Sequence, residues 1–175
     1  ELQHKNYLLV LGGNDPRKNV VCITDVFRIL KKDPLHKDLH LVIVGNPSIQ
    51  TIPDTHIIDR PTDGLLRSLF EHTTLFLYPS WYEGFGIPLH EAATFQKPCL
   101  ASTAGALPET APTGTLFASP AKPHHWQQGI QLILKNPSLY QTRSSLEQET
   151  WKKGAEVLSG ASRLSSSTIG PIEVS

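Results

Sequence analysis

The chain has 175 residues, 39% of them hydrophobic, and its 16 basic and 16 acidic side chains give a formal net charge of zero. That length suffices for one domain with a sizeable core, and the cancelled charge leaves no overall electrostatic case for nucleic acid or an anionic membrane. The apolar runs are too short to span a bilayer, and no signal peptide stands at the start.

Tyr7 to Leu11 reads as a first buried strand. Asp15 and Pro16 then offer a cap and a first-turn proline, with Val20, Ile23, Phe27 and Leu30 following at helical spacing. Asp33-Pro34 stops that helix. Leu39 to Val44 is a second strand, ended by Gly45-Asn46-Pro47, and residues 46–55 are a loop. His56 to Ile58 is a short third strand; Leu65, Leu66, Leu69 and Phe70 mark a helix. Thr74 to Tyr78 is the fourth strand, Ile87 to Gln96 a helix, Cys99 to Ser102 the fifth strand and Thr115 to Phe117 a sixth. Trp126, Ile130, Ile133 and Leu134 give another helix. Asn136-Pro137 is expected to cap one more, carrying Leu139, Tyr140, Arg143 and Leu146. From Ser159 the last 17 residues are rich in Ser and Gly and lack periodicity, so they are expected to be mobile.

Alternating strands and helices argue for a parallel sheet covered on both faces, a Rossmann-like α/β domain of strand order 3-2-1-4-5-6. Ligands of such sheets bind beyond the carboxyl ends of the strands, where the order switches. Strands one and four are neighbours in that order, so the Gly12-Gly13 loop and the loop from Pro79 face one crevice. Cys22 and Cys99 each sit in an apolar stretch and fit reduced core residues better than a disulfide. The sequence shows no metal-spaced His/Cys cluster and no Asp-x-Asp pair, so no metal is expected. The chain has no methionine and reads as a fragment or a processed piece.

The chemistry concentrates in Ser80-Trp81-Tyr82-Glu83-Gly84-Phe85-Gly86-Ile87-Pro88-Leu89-His90-Glu91. Gly84 and Gly86 let the backbone turn sharply and approach a ligand. Pro88 suits the first turn of a helix, whose free N–H groups favour an anion. Glu83 and Glu91 add strong acceptors for sugar hydroxyls. Arg17 and Lys18 sit where two cations can meet a diphosphate, and a merely solvated basic pair would be unusual there, since a helix start disfavours cations. Among the weaker candidates, His90 points to packing or solvent, and His124-His125 reads as a surface pair beside Trp126.

Glu83, seven intervening residues, then Glu91, with Glu-Gly-Phe-Gly-Ile-Pro between, resembles the signature of retaining GT-B glycosyltransferases of family 4. The segments Leu9–Asn19, Leu41–Gly45, Lys97–Ser102 and Gly105–Glu109 resemble that family's donor-binding domain in the same order, covering residues 7 to about 153. The resemblance implies a donor-binding domain over residues 1–158, the C-terminal half of a GT-B fold, with a tail at 159–175 and an N-terminal acceptor domain absent from the chain. It implies retaining transfer of a hexose from a UDP- or GDP-sugar to a saccharide or lipid-linked acceptor, with no required cofactor. Glu91 would hold the ribose. Glu83 would lie by the transferred sugar, as nucleophile or as electrostatic stabiliser. Backbone N–H groups of Gly84, Phe85, Gly86 and Ile87, with Gly12 and Gly13, would surround sugar and phosphates. The family places an arginine right after the loop glycine and a lysine five residues later. Here Gly13 and Lys18 occupy those places, with Arg17 as the shifted cation. Arg60, after strand three, would meet the nucleobase; Glu109 has a structural or a ligand role. The implied setting is cytoplasmic, with room for peripheral association at the inner membrane face, and the fragment alone is expected to be inactive.

Two other classes were weighed. A non-catalytic sugar-nucleotide-binding or scaffold module is the alternative, although both glutamates and Lys18 are intact. A dinucleotide oxidoreductase would need Gly-x-Gly-x-x-Gly after strand one and an acid after strand two. Gly12-Gly13-Asn14-Asp15-Pro16-Arg17 and Gly45-Asn46-Pro47 supply neither.

Overall fold

The computed structural model describes residues 2–50 and 52–143 of the chain. The domain end at 158 and the tail at 159–175 lie outside the described residues. Six strands form one sheet: β1 (Asn6–Leu11), β2 (Leu39–Val44), β3 (Thr55–Ile58), β4 (Leu75–Tyr78), β5 (Cys99–Ser102) and β6 (Leu116–Ala118). All pair in parallel, in the order β3-β2-β1-β4-β5-β6. β1 is the pivot, with Leu8 opposite Leu41 on one side and Leu75 on the other.

Successive side chains of a strand alternate between faces, and here each face has its own core. Leu8 and Val10 join Leu41, Ile43, Leu75 and Leu77 beneath α1 (Val20–Leu30) and α5 (Pro123–Lys135). Leu9, Val42, Phe76 and Tyr78 lie on the opposite side. There they meet α2 (Asp63–His72), α3 (Ile87–Thr94) and α4 (Leu107–Thr110). α1 buries Ile23, Val26, Phe27 and Leu30, the i, i+3, i+4, i+7 face of an amphipathic helix. The connection from β2 to β3 has no helix. Residues 46–54 cross over instead, and Ile52 sinks into the α1-side core at 5% exposure.

Two local readings change. Asp15 does cap, accepting from Arg17 N at 2.9 Å, but what it caps is a separate 3-10 turn, Pro16–Lys18. Asn19, at φ 52°, interrupts, and α1 starts only at Val20. The helix expected after Asn136-Pro137 is likewise a single 3-10 turn, Pro137–Tyr140. Gln141 and Arg143 then bridge antiparallel to Pro98 and Thr113, and those distant pairings override the local helix signal; Leu146 lies outside the described residues. The four residues of α4 are too short to show a period. Cys22 and Cys99 are free and buried, as read from their apolar surroundings.

Trp126 anchors the second half of the α1-side core: it is fully buried, and its indole Nε1 donates to Ser119 O at 2.9 Å. Truncation leaves a cavity and an orphaned carbonyl. Trp126→Ala is expected to cost about 3–5 kcal/mol in urea unfolding followed by circular dichroism. A loss below about 1 kcal/mol would place Trp126 outside the cooperative core.

Candidate functional site

The loops after β1 and β4 meet at the switch in strand order, and backbone contacts set their spacing. Gly12 N donates to Val44 O at 2.8 Å, so the chain turns as soon as β1 ends. A Cβ on Gly12 would stand 2.1 Å from Val20 Cγ2, and only glycine lets α1 begin so close to the strand. On the other side, Trp81 N donates to Arg17 O at 2.7 Å. Asn19 Nδ2 donates both to Pro79 O (3.2 Å) and to Pro120 O (3.1 Å), clipping the β1 loop to the loops after β4 and β6.

These clips bring Lys18 and Glu83 together, 65 residues apart in sequence. Lys18 Nζ donates to Glu83 Oε1 at 2.6 Å, and the two side chains are 29% and 19% exposed. The same ammonium lies 3.5 Å from the Tyr78 hydroxyl and 5.3 Å from the centre of its ring. Glu83 itself is fixed through its main chain, since Ala106 N donates to its carbonyl at 3.1 Å. Gly105, at φ +65°, makes that approach possible, because a Cβ there would stand 2.5 Å from Glu83 O.

α3 starts one turn beyond Glu83. Its N-cap is Gly86, at φ 79° and without a side-chain cap, and Pro88 lies in the first turn. The first-turn N–H groups, on the chain that leads from Gly84 and Phe85 to Ile87, therefore carry the positive end of the helix dipole. Glu91 lies on the exposed side of α3, yet partial burial raises its carboxyl above the usual range. Beneath it, His90 is buried; its ring stacks on Phe85 at 5.0 Å, and its Nε2–H donates to Thr110 O at 2.9 Å. Packing, one of the two roles read from sequence, is what His90 does.

Not every candidate joins the cluster. The Arg17 guanidinium forks onto Asp15, with Nε and Nη2 both bonded to its carboxylate, and it is 73% exposed. That pairing holds the Asp15 carboxyl below its ordinary value. Gly13 lines a small recess of about 230 Å³ between the β1 and β2 loops, with Asn14, Pro47 and Ser48. Asn14 Oδ1 accepts from both the amide and the hydroxyl of Ser48. Arg60 is exposed in the left-handed region (φ 47°), beyond β3 at the sheet edge, and Glu109 is exposed in the first turn of α4. Trp81, Tyr82 and Ile87 form an exposed apolar rim at 47%, 69% and 64%. A cavity of about 720 Å³ around Leu2, Tyr7, His56 and Leu65 lies away from this edge.

Sequence reasoning passed over Asn19, Tyr78 and Gly105 as parts of the site. An Asn just before a helix that lacks another cap was a signal for Asn19. Tyr78 has the form of a core residue, and only its phenol closing an otherwise aliphatic and phenylalanine strand hints at more.

Residues 1–153 match the family described as Glycosyl transferases group 1, and the chain belongs to that family. It is 27% identical over 132 residues to O-antigen chain mannosyltransferase B of Escherichia coli, covering 69% of this chain and 34% of that protein. It is 26% identical over 148 residues to O-antigen chain mannosyltransferase RfbU of Salmonella typhimurium, covering 77% and 40%. The chain thus spans well under half the length of these relatives. Among solved structures, sucrose-phosphate synthase from Thermosynechococcus elongatus superposes with a TM-score of 0.69 at 20% identity, over 91% of this chain and 47% of that one. Anabaena Alr3699/HepE, solved in complex with UDP-glucose, gives 0.66 at 15%, over 78% and 41%. The fold is accordingly Rossmann-like, the parallel sheet of a GT-B half.

Two expectations follow from this geometry. Gly105→Ala forces a Cβ against Glu83 O and strains a positive φ, so it should lower stability by about 1–2 kcal/mol in thermal melts. Turnover of the complete protein should fall with it, and unchanged turnover would show that Glu83 is not held from this side. Burial lowers the His90 pKa, with its bond to Thr110 O opposing. The unfolded chain then takes up the proton near pH ~6.5 while the fold does not, so stability is full above that pH and declines below it. Thermal midpoints from pH 7 to 5 should fall more steeply for the wild type than for His90→Gln. Equal slopes would remove His90 from the acid response.

Proposed function

We propose that this domain holds a nucleoside diphosphate sugar, a UDP- or GDP-sugar. From it a retaining glycosyltransferase would move a hexose to a saccharide or lipid-linked acceptor in polysaccharide or glycoconjugate assembly. One observation carries the reading: Lys18 Nζ stands 2.6 Å from Glu83 Oε1 across the crevice between the β1 and β4 loops. A cation suited to a diphosphate and a carboxylate suited to a sugar hydroxyl thus share one spot. The printed names of the two mannosyltransferase relatives, and the UDP-glucose in the Anabaena structure, support it.

In this reading the bond between the sugar and the phosphate breaks with its electron pair going to the phosphate oxygen. Lys18 and the N–H groups at the start of α3 meet the charge that builds there, a preorganised arrangement that needs no reorganisation in the transition state. Glu83 faces the sugar carbon that turns positive, and Glu91 accepts from the ribose hydroxyls. Arg60 is placed for the base. Arg17 reaches the phosphates only by giving up Asp15. With cationic side chains and a helix start for the diphosphate, the reading assigns no metal. The acceptor enters on a partner domain, and the donor's cytosolic origin puts the reaction in the cytoplasm. No helix among the described residues is long and apolar enough to cross a membrane, and the reading places any contact of the complete protein with the inner membrane face at its periphery.

The two glutamates should separate in the complete enzyme. Glu91→Ala should weaken both nucleoside diphosphate and nucleotide sugar by ~1.5–3 kcal/mol, roughly one to two decades in affinity. Glu83→Ala should leave the nucleoside diphosphate bound at least as well, since it frees Lys18, and should lower kcat, the mark of a transition-state contact. Calorimetry with UDP and GDP beside steady-state rates reads both. Equal loss of nucleotide in the two variants would remove the sugar from Glu83.

A further inference from the structure

β4 ends on Tyr78, whose ring is core and whose oxygen reaches the ion pair. The ring is 1% exposed, stacks on Phe76 (centroids 5.9 Å apart, 30° between planes) and lies under Gly86, where an added Cβ would come 3.8 Å from its Cε1. Its hydroxyl lies beside the ion pair. The Lys18 ammonium, 2.6 Å from Glu83 Oε1, is also 3.5 Å from the phenol oxygen. One cation therefore gathers a carboxylate and a phenol in a place largely closed to solvent. Burial, the charge of Glu83 with hydrogen bonding to it, and the charge of Glu91 all push the phenol above its ordinary range. Tyr78 thus stays a neutral O–H donor at any working pH.

The arrangement matters when a diphosphate arrives. Two phosphates attract an ammonium more strongly than one carboxylate does, so Lys18 turns toward them. Glu83, four-fifths buried, then loses its 2.6 Å partner, and a buried charge without a donor is costly. The phenol, a hydrogen-bond partner of Glu83, is the neighbour that can still hold it. As a neutral donor it orients the carboxylate without cancelling the negative charge that a positive sugar carbon needs. Packing alone asks only for bulk at this position, which phenylalanine supplies. We propose that Tyr78 is a positioning residue: its hydroxyl keeps hold of Glu83 as Lys18 turns to the diphosphate, so that the carboxylate stays aimed at the transferred sugar. This inference rests on the donor reading above.

The test uses the complete protein and release of nucleoside diphosphate from UDP-glucose or GDP-mannose, whichever binds in calorimetry. Tyr78→Phe keeps the ring and removes the oxygen; should it fail to fold, Tyr78→Met removes the same oxygen. The expected result is an unchanged thermal midpoint, a donor KM within about twofold of wild type and a kcat lower by about tenfold or more, the scale of one lost bond to a charged group. In a Glu83→Gln background the same substitution should change kcat by less than about twofold, because the two residues act as one unit. A normal kcat in Tyr78→Phe beside an impaired Glu83→Gln would overturn the role of Tyr78 while leaving the donor reading intact. Equal losses in both backgrounds would overturn it too, by showing that the phenol acts apart from Glu83. If neither nucleotide sugar binds, or if Glu83→Gln is itself fully active, the donor reading fails first and takes this inference with it.

Discussion

The carboxyl edge of this domain depends on β1 lying between β2 and β4. Leu8, Leu9 and Val10 pair on both sides at once, so the chain leaves β1 toward β2 and later returns to its other flank. The loops therefore diverge over β1 and leave a crevice that no connection has to cross. What remains is to fix the β1 loop between its neighbours, and contacts through the backbone do that on both sides. Gly45, at φ +111°, lies so close that a Cβ there would meet Gly12 O at 2.5 Å, which locks the β2 side. The Trp81 amide and the Asn19 carboxamide lock the β4 side. The position of Lys18 is the outcome of those locks rather than of any preference of its own.

Two ion pairs lie within a few residues of each other, and they differ in kind. Arg17 and Asp15 form a forked pair that is exposed on the cation's side, where water screens the attraction and little net stability results. Lys18 and Glu83 are each mostly covered, and their desolvation is offset only while they hold each other or find substitutes. The first pair shapes a loop. The second is a charge-balanced unit, and the proposed donor, an anion joined to a polyol, would supply each member with an equivalent partner.

How much of this was legible depended on whether the deciding contact was local. The six strands and their order were readable because buried parallel strands are short apolar runs, and Leu39–Val44 and Cys99–Ser102 have the bounds given by their hydrophobicity. The start of α3 was readable from a loop whose glycines and proline have few other uses, and the approach of Lys18 to Glu83 from two loops that follow neighbouring strands. The turn at Pro16–Lys18 was misjudged in length because Asn19 leaves helical geometry for two carbonyls, Pro79 O and Pro120 O, that are far away in sequence. Residues 137–143 were misjudged for the same reason, their partners being Pro98 and Thr113. Tyr78 escaped notice since a buried aromatic at a strand end gives no sign of which way its hydroxyl faces. Locally encoded features were visible, and those closed by a contact across the fold were not.

The exposed rim of Trp81, Tyr82 and Ile87 bears on how the domain behaves among its own copies. Three large apolar side chains stand on one loop and the adjoining helix start, and the loop is pinned, so they have little freedom to fold away from water. A chain of zero net charge has no long-range repulsion to keep such rims apart. Near neutrality the colloidal balance therefore tips toward rim-to-rim sticking, and added salt, which would quiet a highly charged protein, has little charge here to screen.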